Sequence, residues 1–128
     1  MPNQNLYPEL VEGRRNRQKR LAILFDPDKM PPSLLEKSTE LAARAGVHYF
    51  FIGGSLLVNN MLDTMLTDIR RRCSIPLVLF PGNSFQLSYR ADAILLLSLI
   101  SGRNPELLIG QHVIAAPFLK ISPLEIIS

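Results

Sequence analysis

Short apolar segments recur along the chain, and each runs directly into polar or glycine-rich residues. Segments of this kind are typical of buried parallel strands, which are covered on both faces. The pattern predicts strands at residues 20–25, 47–52, 75–80 and 93–99, with a fifth β-like stretch at residues 125–127.

Helical periodicity separates most of these strands. Proline opens two of the predicted helices, at Pro31-Pro32 and at Pro105, because its fixed backbone suits a first turn. Another helix is expected to begin near Asn59 or Asn60, both good capping residues. We expect the last helix to end at Pro117, since proline lacks the N–H that a helix interior needs.

The order of elements predicts an α/β fold with a parallel sheet and right-handed crossovers. The connection at residues 84–90 is too short and irregular for a full helix. The last β-like stretch, residues 125–127, is followed only by Ser128 and is therefore expected to be the start of a further strand. We interpret residues 1–19 as an N-terminal arm. Residues 20–128 then form the first four βα units of a (β/α)₈ TIM barrel, ending at the start of strand 5. A small doubly wound sheet is the alternative.

The composition is that of an ordinary globular domain, with 47% apolar and 20% charged residues among 128. The single cysteine, Cys73, excludes an internal disulfide and fits a reducing compartment. Residues 1–13 are polar and lack the apolar segment of a secretory signal. We therefore expect a cytoplasmic protein.

The formal net charge is +3, and the positive charge is concentrated in two places. Arginines at residues 70–72 end a helix, where the helix dipole favours cations. The second cluster precedes the first strand, and we interpret it as a solvated lead-in or as a contact with anionic lipid or a phosphorylated substrate. A nucleic-acid surface is less favoured, because no aromatic residues or binding motif accompany the cluster. This second cluster comprises Arg14, Arg15, Arg17, Lys19 and Arg20.

Polar residues follow the predicted strands at the carboxyl edge of the sheet, where α/β folds place their chemistry. Asp26 and Ser55 follow neighbouring strands and should face each other across one mouth. A carboxylate and a hydroxyl suit Mg²⁺, which binds one or two protein oxygens and adds phosphate oxygens from a substrate. On the residues alone, an equal alternative is that Asp26 only caps a helix and the glycines only form a tight turn. Weaker candidates for substrate binding at this edge are Lys29, Gly53, Asn83, Arg103 and Asn104.

No catalytic side chain can be assigned from the sequence. The two histidines, His48 and His112, have no partner at metal-ligand spacing, and we interpret both as structural. Gly53-Gly54-Ser55 could also hold a phosphate on backbone N–H groups at the start of a helix.

Four motifs at the ends of the predicted strands resemble, in type and in order along the chain, those of the geranylgeranylglyceryl phosphate synthase family. A close relative of that family is heptaprenylglyceryl phosphate synthase. The resemblance covers about residues 20–128 and implies a modified TIM barrel with a short irregular connection in place of the third helix. The motifs are Phe-Asp-Pro-Asp-Lys at 25–29, Phe-Ile-Gly-Gly-Ser at 51–55, Pro-Leu-Val-Leu-Phe-Pro-Gly-Asn at 76–83 and Ser-Gly-Arg-Asn-Pro-Glu at 101–106.

The resemblance implies a Mg²⁺-dependent prenyltransferase of ether-lipid synthesis. Such enzymes transfer a prenyl group, expected here to be geranylgeranyl, from its diphosphate to the 3-hydroxyl of sn-glycerol 1-phosphate. The resemblance places the metal ligands on Asp26 and Ser55, and the prenyl tail in an apolar groove near residues 50–66 and 94–118. Family members are commonly dimers or larger, so we expect a homo-oligomer. Contact with a membrane surface is a further expectation.

The family's glycerol phosphate site lies at the ends of strands 6, 7 and 8, which these 128 residues do not supply. We therefore expect a metal and diphosphate half-site without an acceptor site. The alternative is a catalytically inactive half-barrel that self-associates or complements its missing half.

Overall fold

The computed structural model describes residues 5–54, 61–82 and 86–128, in which strands and helices alternate. The helices are α1 (Leu6–Arg15), α2 (Pro32–Arg44), α3 (Leu62–Arg72) and α4 (Gln111–Ile121), and a π-helical turn, Glu106–Gly110, leads into α4. The strands are β1 (Ala22–Phe25), β2 (Tyr49–Ile52), β3 (Leu77–Leu79), β4 (Ala93–Leu95) and β5 (Glu125–Ile127).

The five strands form one parallel sheet in the order β1-β2-β3-β4-β5. A strictly sequential order is that of a barrel wall, whereas a doubly wound sheet reverses its order at a switch point. The sheet therefore confirms a partial barrel and excludes the doubly wound alternative. Each predicted strand is present but shorter than its apolar segment. The fourth ends at Leu95, and Leu96 and Leu97 beyond it line a cavity.

The two faces of the sheet pack against different elements. Along β2, Phe50 and Ile52 belong to a core shared with α2, α3 and α4, whereas Tyr49 packs on the opposite face with Leu6 of α1. This alternation follows from the two-residue period of a strand. The helix-covered outer face therefore holds most of the hydrophobic core.

The N-terminal segment is tied to the far end of the chain. The Glu125 carboxylate accepts hydrogen bonds from the backbone N–H groups of Leu6, at 2.7 Å, and Tyr7, at 2.8 Å. Both N–H groups lie in the first turn of α1, where no intrahelical acceptor is available. Leu6 is fully buried against the first residues of two strands, Tyr49 and Ala93. Helix α1 thus covers the amino end of the inner face and leaves the carboxyl edge open.

The prediction that Pro117 ends the last helix is wrong. Pro117 lies inside α4, which continues to Ile121. The proline removes one backbone hydrogen bond, to the carbonyl of Val113 four residues earlier. Both residues are exposed, so water can replace the missing donor and the helix can continue.

The connection between β3 and β4 has no helix in its described part, residues 86–92, as predicted. The predicted start of α3 at Asn59 or Asn60 lies outside the described residues, and α3 is described from Leu62. No helix in the described ranges is long and apolar enough to cross a membrane.

Candidate metal and diphosphate site

Asp26 directly follows β1 at the carboxyl edge of the sheet, and its side chain is 20% exposed. Oδ1 accepts a hydrogen bond from the backbone N–H of Asp28 at 3.1 Å, which fixes the local turn. Asp26 does not cap α2, because Pro31 occupies the cap position there and makes no side-chain cap bond. The carboxylate is therefore held in one orientation while remaining accessible to small ligands.

Lys29 places a positive charge beside this carboxylate. Its Nζ lies 3.2 Å from Oδ2 of Asp26, and the lysine side chain is 83% exposed. An ion pair this exposed contributes only about 0–1 kcal/mol. The ammonium group can therefore exchange Asp26 for an anionic ligand at little cost.

Gly53 allows the ends of β2 and β3 to approach closely. A Cβ at this position would lie only 2.0 Å from the backbone oxygen of Phe80, with the backbone at φ +157°. Only glycine fits this contact. The structure thus gives Gly53 a packing role, and its contact with a substrate stays a prediction.

Gly54 and Gln86 complete the described surroundings of Asp26. A Cβ on Gly54 would lie 3.0 Å from Cγ and from both carboxylate oxygens of Asp26. The buried Gln86 amide accepts from the Gly54 N–H at 3.4 Å and the Gly82 N–H at 3.0 Å, and donates to the Gly54 carbonyl at 2.8 Å. Sequence reasoning missed Gln86, because a glutamine in an irregular loop has no motif or periodicity.

The structure describes two of the remaining predicted site residues, Arg103 and Asn104, and leaves two outside its described ranges. Ser55 and Asn83 lie outside the described residues, so the pairing of Asp26 with Ser55 stays a prediction. Arg103 and Asn104 are exposed after β4. Asn104 caps the π-helical turn, as its Oδ1 accepts from the Glu106 N–H at 3.0 Å. A role of Asn104 in substrate binding stays a prediction.

An apolar cavity of about 100 Å³ lies between the carboxyl ends of β3 and β4 and helix α4. Most of its wall falls within residues 94–118, as expected, and none of its described wall falls within residues 50–66. Gly82 belongs both to this wall and to the hydrogen-bond network of Gln86, so the cavity adjoins the Asp26 loops. The wall comprises Pro81, Gly82, Leu87, Ile94, Leu96, Leu97, Leu107, Gln111, His112 and Ala115.

The two histidines differ in their surroundings. His48 lies just before β2, and its Nδ1 accepts a hydrogen bond from the Leu21 N–H at 3.1 Å, which supports the structural interpretation. His112 lines the apolar cavity, and its buried Nδ1 has no hydrogen-bond partner among the described residues.

The residues present fit a Mg²⁺ ion whose coordination is completed by a diphosphate. The described part of the chain has no group of three or more His, Cys, Asp or Glu side chains that could hold a metal unaided. Mg²⁺ needs no such cage, because it usually binds one or two carboxylates together with water and substrate phosphates. Asp26 provides one oriented carboxylate, and the absence of a side chain on Gly54 leaves space against it.

The sequential parallel sheet defines a partial (β/α)₈ barrel, and its carboxylate and apolar cavity form a candidate ligand site at the carboxyl edge, the usual face for ligands in such barrels. The match to known proteins then gives the particular family. The chain belongs to the PcrB family, which matches residues 14–128.

Curated relatives of the chain in bacteria and archaea are named geranylgeranylglyceryl phosphate synthase. The chain is 47% identical over 123 residues to the geranylgeranylglyceryl phosphate synthase of Chitinophaga pinensis, covering 96% of this chain and 49% of that protein. Identity to the Spirosoma linguale enzyme of the same name is 49% over 110 residues, covering 86% and 44%. These matches confirm the family resemblance, and the chain spans about half the length of the relatives.

A solved structure confirms the fold. The (S)-3-O-geranylgeranylglyceryl phosphate synthase of Thermoplasma acidophilum, in complex with its substrate sn-glycerol-1-phosphate, matches with a TM-score of 0.80 at 29% identity. The match covers 91% of this chain and 48% of that one.

Proposed function

We propose that this chain provides the Mg²⁺ and prenyl diphosphate half of a geranylgeranylglyceryl phosphate synthase. The observation that carries the proposal is an oriented, accessible carboxylate, Asp26, at the same carboxyl edge of the sheet as an apolar cavity. A prenyl diphosphate needs both environments, one for its charged end and one for its hydrocarbon tail. The names of the relatives support the same reaction.

Asp26 and Ser55 are the proposed metal ligands. When bound, Mg²⁺ would offset the negative charge that develops on the diphosphate leaving group. Lys29 is proposed to leave its ion pair with Asp26 and to form one with the diphosphate, because its present ion pair is exposed and weak. Asn83, Arg103 and Asn104 remain proposed contacts of the substrate.

The apolar cavity is proposed to receive the part of the prenyl chain nearest the diphosphate. Its described wall is largely aliphatic, so entry of the prenyl group removes apolar surface from water. The connection between β3 and β4 lies over this region, and its described part contains no helix.

The proposed acceptor is sn-glycerol 1-phosphate, the compound bound by the Thermoplasma acidophilum relative. The product would be an ether-linked glycerol phosphate, with diphosphate released. The acceptor site is proposed to lie on the other half of the barrel, since the described residues form strands β1 to β5 of such a barrel.

A prenyl-transfer assay tests the proposed function. These 128 residues would be combined with the C-terminal half of the Chitinophaga pinensis relative, then given labelled geranylgeranyl diphosphate, sn-glycerol 1-phosphate and Mg²⁺. We expect Mg²⁺-dependent formation of an organic-soluble labelled phosphate. Asp26→Asn should reduce turnover about 100-fold, in the range of a lost electrostatic contact to the transition state. Asp68→Asn, with the same charge change on α3, should not. Equal turnover in Asp26→Asn and the wild type would overturn the metal assignment.

A second candidate function is that of a non-catalytic half-barrel that assembles through its open sheet. Strands β1 and β5 are the two edges of the described sheet, and Leu24 of β1 and Ile126 of β5 are about half exposed. Unprotected strand edges pair readily with other strands. Light scattering of the purified chain distinguishes the outcomes: a compact monomer would contradict association through the edges, and also the expected homo-oligomer.

We also propose that the protein is cytoplasmic and that it contacts a membrane surface. The basic cluster at residues 14–20 is exposed throughout, as a contact with anionic lipid requires. Sedimentation with phosphatidylglycerol vesicles should show binding that is lost at high salt, because screening weakens such contacts. Equal binding to phosphatidylcholine vesicles would contradict an electrostatic contact.

A further inference from the structure

We propose that Gln86 is a positioning residue for the metal-binding carboxylate of Asp26, acting through the backbone of Gly54. The inference rests on the proposed function, because it takes Asp26 as a metal ligand. Gln86 touches neither the carboxylate nor, in this proposal, the substrate.

The Gln86 amide makes three hydrogen bonds to the backbone of two strand-end loops. Its Oε1 accepts from the N–H groups of Gly54, at 3.4 Å, and Gly82, at 3.0 Å, while Nε2 donates to the Gly54 carbonyl at 2.8 Å. The residue is 3% exposed, so these bonds are shielded from water. Both partners are glycines, whose backbones have wide conformational freedom and depend on such bonds for a fixed position.

The position of Gly54 in turn limits the position of the Asp26 carboxylate. The Gly54 Cα lies so close that a methyl group there would be 3.0 Å from both carboxylate oxygens. On other sides the carboxylate meets the Asp28 N–H and the Lys29 ammonium. Gly54 therefore packs against one side of the Asp26 carboxylate, and the hydrogen bonds of Gln86 fix the position of Gly54.

Gln86 also connects the surroundings of the Asp26 carboxylate to the apolar cavity. Gly82, held by the same amide oxygen, lines the cavity wall. One buried side chain thus fixes the relative position of the charged end and the apolar end of the proposed prenyl diphosphate site. A pre-organised ligand does not have to be reordered when the metal complex binds, so the loss of Gln86 should weaken binding more than its effect on folding explains.

Asp92 provides a matched control at the opposite edge of the sheet, where the strands begin. Its Oδ2 accepts from the Leu77 N–H and from Arg70 Nη2, both at 2.7 Å, and its side chain is 3% exposed. Asp92 is thus a buried polar side chain that ties backbone and helix together, as Gln86 does, but at the amino end of β3. A variant at this position loosens the fold without touching the Asp26 loops.

The experiment is a calorimetric titration of the chain with the Mg²⁺ complex of inorganic diphosphate, alongside thermal unfolding. Gln86→Met keeps the length of the side chain and removes its hydrogen bonds, and Gln86→Asn keeps the amide but shortens its reach. We expect both to raise the dissociation constant at least 10-fold, whereas Asp92→Asn lowers the unfolding temperature and changes the dissociation constant less than 2-fold. If Gln86→Met does not fold, the dissociation constant of Gln86→Asn alone tests the positioning role.

The outcomes separate this inference from the proposed function. A wild-type chain that does not bind the Mg²⁺–diphosphate complex would contradict the metal site itself. A wild type that binds, with Gln86 variants that bind equally well, would overturn the positioning role alone. An equal loss in Asp92→Asn would also overturn it, because the effect would then come from general loosening of the fold.

Discussion

Gly54 packs against the carboxylate of Asp26 so closely that a Cβ at position 54 would lie 3.0 Å from Cγ and from both carboxylate oxygens. The contact joins the loop after β2 to the loop after β1. Because Gly54 has no side chain, this side of the Asp26 carboxylate stays free of side-chain atoms from position 54, as the proposed metal site requires. A substitution on either side of this contact should therefore alter metal binding.

Gly54→Ala should weaken binding of the Mg²⁺–diphosphate complex about 10-fold. The added methyl group would lie 3.0 Å from both Asp26 oxygens and must displace the carboxylate or occupy the space of the metal's water ligands. Calorimetric titration measures the change, with thermal unfolding as the check on folding. Affinity equal to that of the wild type would show that the space beside Asp26 is not used by the metal.

Gly53→Ala should destabilise the fold more than Gly46→Ala does. Both glycines have positive φ, +157° and +74°, but a Cβ on Gly46 meets nothing within 4 Å. Gly46→Ala therefore carries the backbone strain alone, about 1–2 kcal/mol. Gly53→Ala adds a methyl group that overlaps the Phe80 carbonyl oxygen, and we expect a loss of about 3 kcal/mol or more. Urea unfolding compares the two, and equal losses would contradict the close approach of β2 and β3.

Glu125→Ala should release the start of α1 from the sheet. Two backbone N–H groups lose a charged acceptor, for which a cost of about 1.5–3 kcal/mol is typical. Hydrogen exchange should show faster exchange at Leu6 and Tyr7, while Mg²⁺–diphosphate binding at the opposite edge stays unchanged. Unchanged protection of these two amides would contradict the contact between α1 and β5.

Tyr49 should make the fold sensitive to alkaline pH. Burial raises the pKa of its hydroxyl above the ordinary 10.0; Arg20 opposes this shift, and Glu9 and Glu125 add to it. Because the pKa is raised in the folded state, the resulting stability is fully present below pH 10 and is lost as the pH rises through the folded-state pKa. Tyr49→Phe removes the titrating group. Its free energy of unfolding should therefore fall less steeply above pH 10, and parallel curves would contradict the shift.

The fold was predictable where the chain carries local signals. Buried parallel strands require continuous apolar residues, and glycine or acidic residues stop them, so β1 and β2 and the loops that follow them were found from the sequence. The position of Asp26 after β1 was predicted for the same reason, and its role as a ligand-binding residue at this edge stays a prediction. The short connection before β4 was also visible, because residues 84–90 have no helical periodicity.

The missed features depend on contacts between distant parts of the chain. Gln86 is separated by 32 residues from Gly54, and Glu125 by 119 from Leu6, so neither contact has a local pattern. Pro117 misled the prediction because exposure, which lets water satisfy the freed carbonyl, cannot be read from a proline alone. Physical rules for one element fail where another element or the solvent provides the missing partner.

We propose above all that Asp26 binds the Mg²⁺ ion that holds the prenyl diphosphate. The most direct measurement is the affinity of the chain for geranylgeranyl diphosphate with and without Mg²⁺, in the wild type, Asp26→Asn and Asp68→Asn. We predict that Mg²⁺ tightens binding at least about 10-fold in the wild type and Asp68→Asn, the scale of one charge-assisted contact, and has no effect in Asp26→Asn. The same tightening by Mg²⁺ in Asp26→Asn would contradict the account.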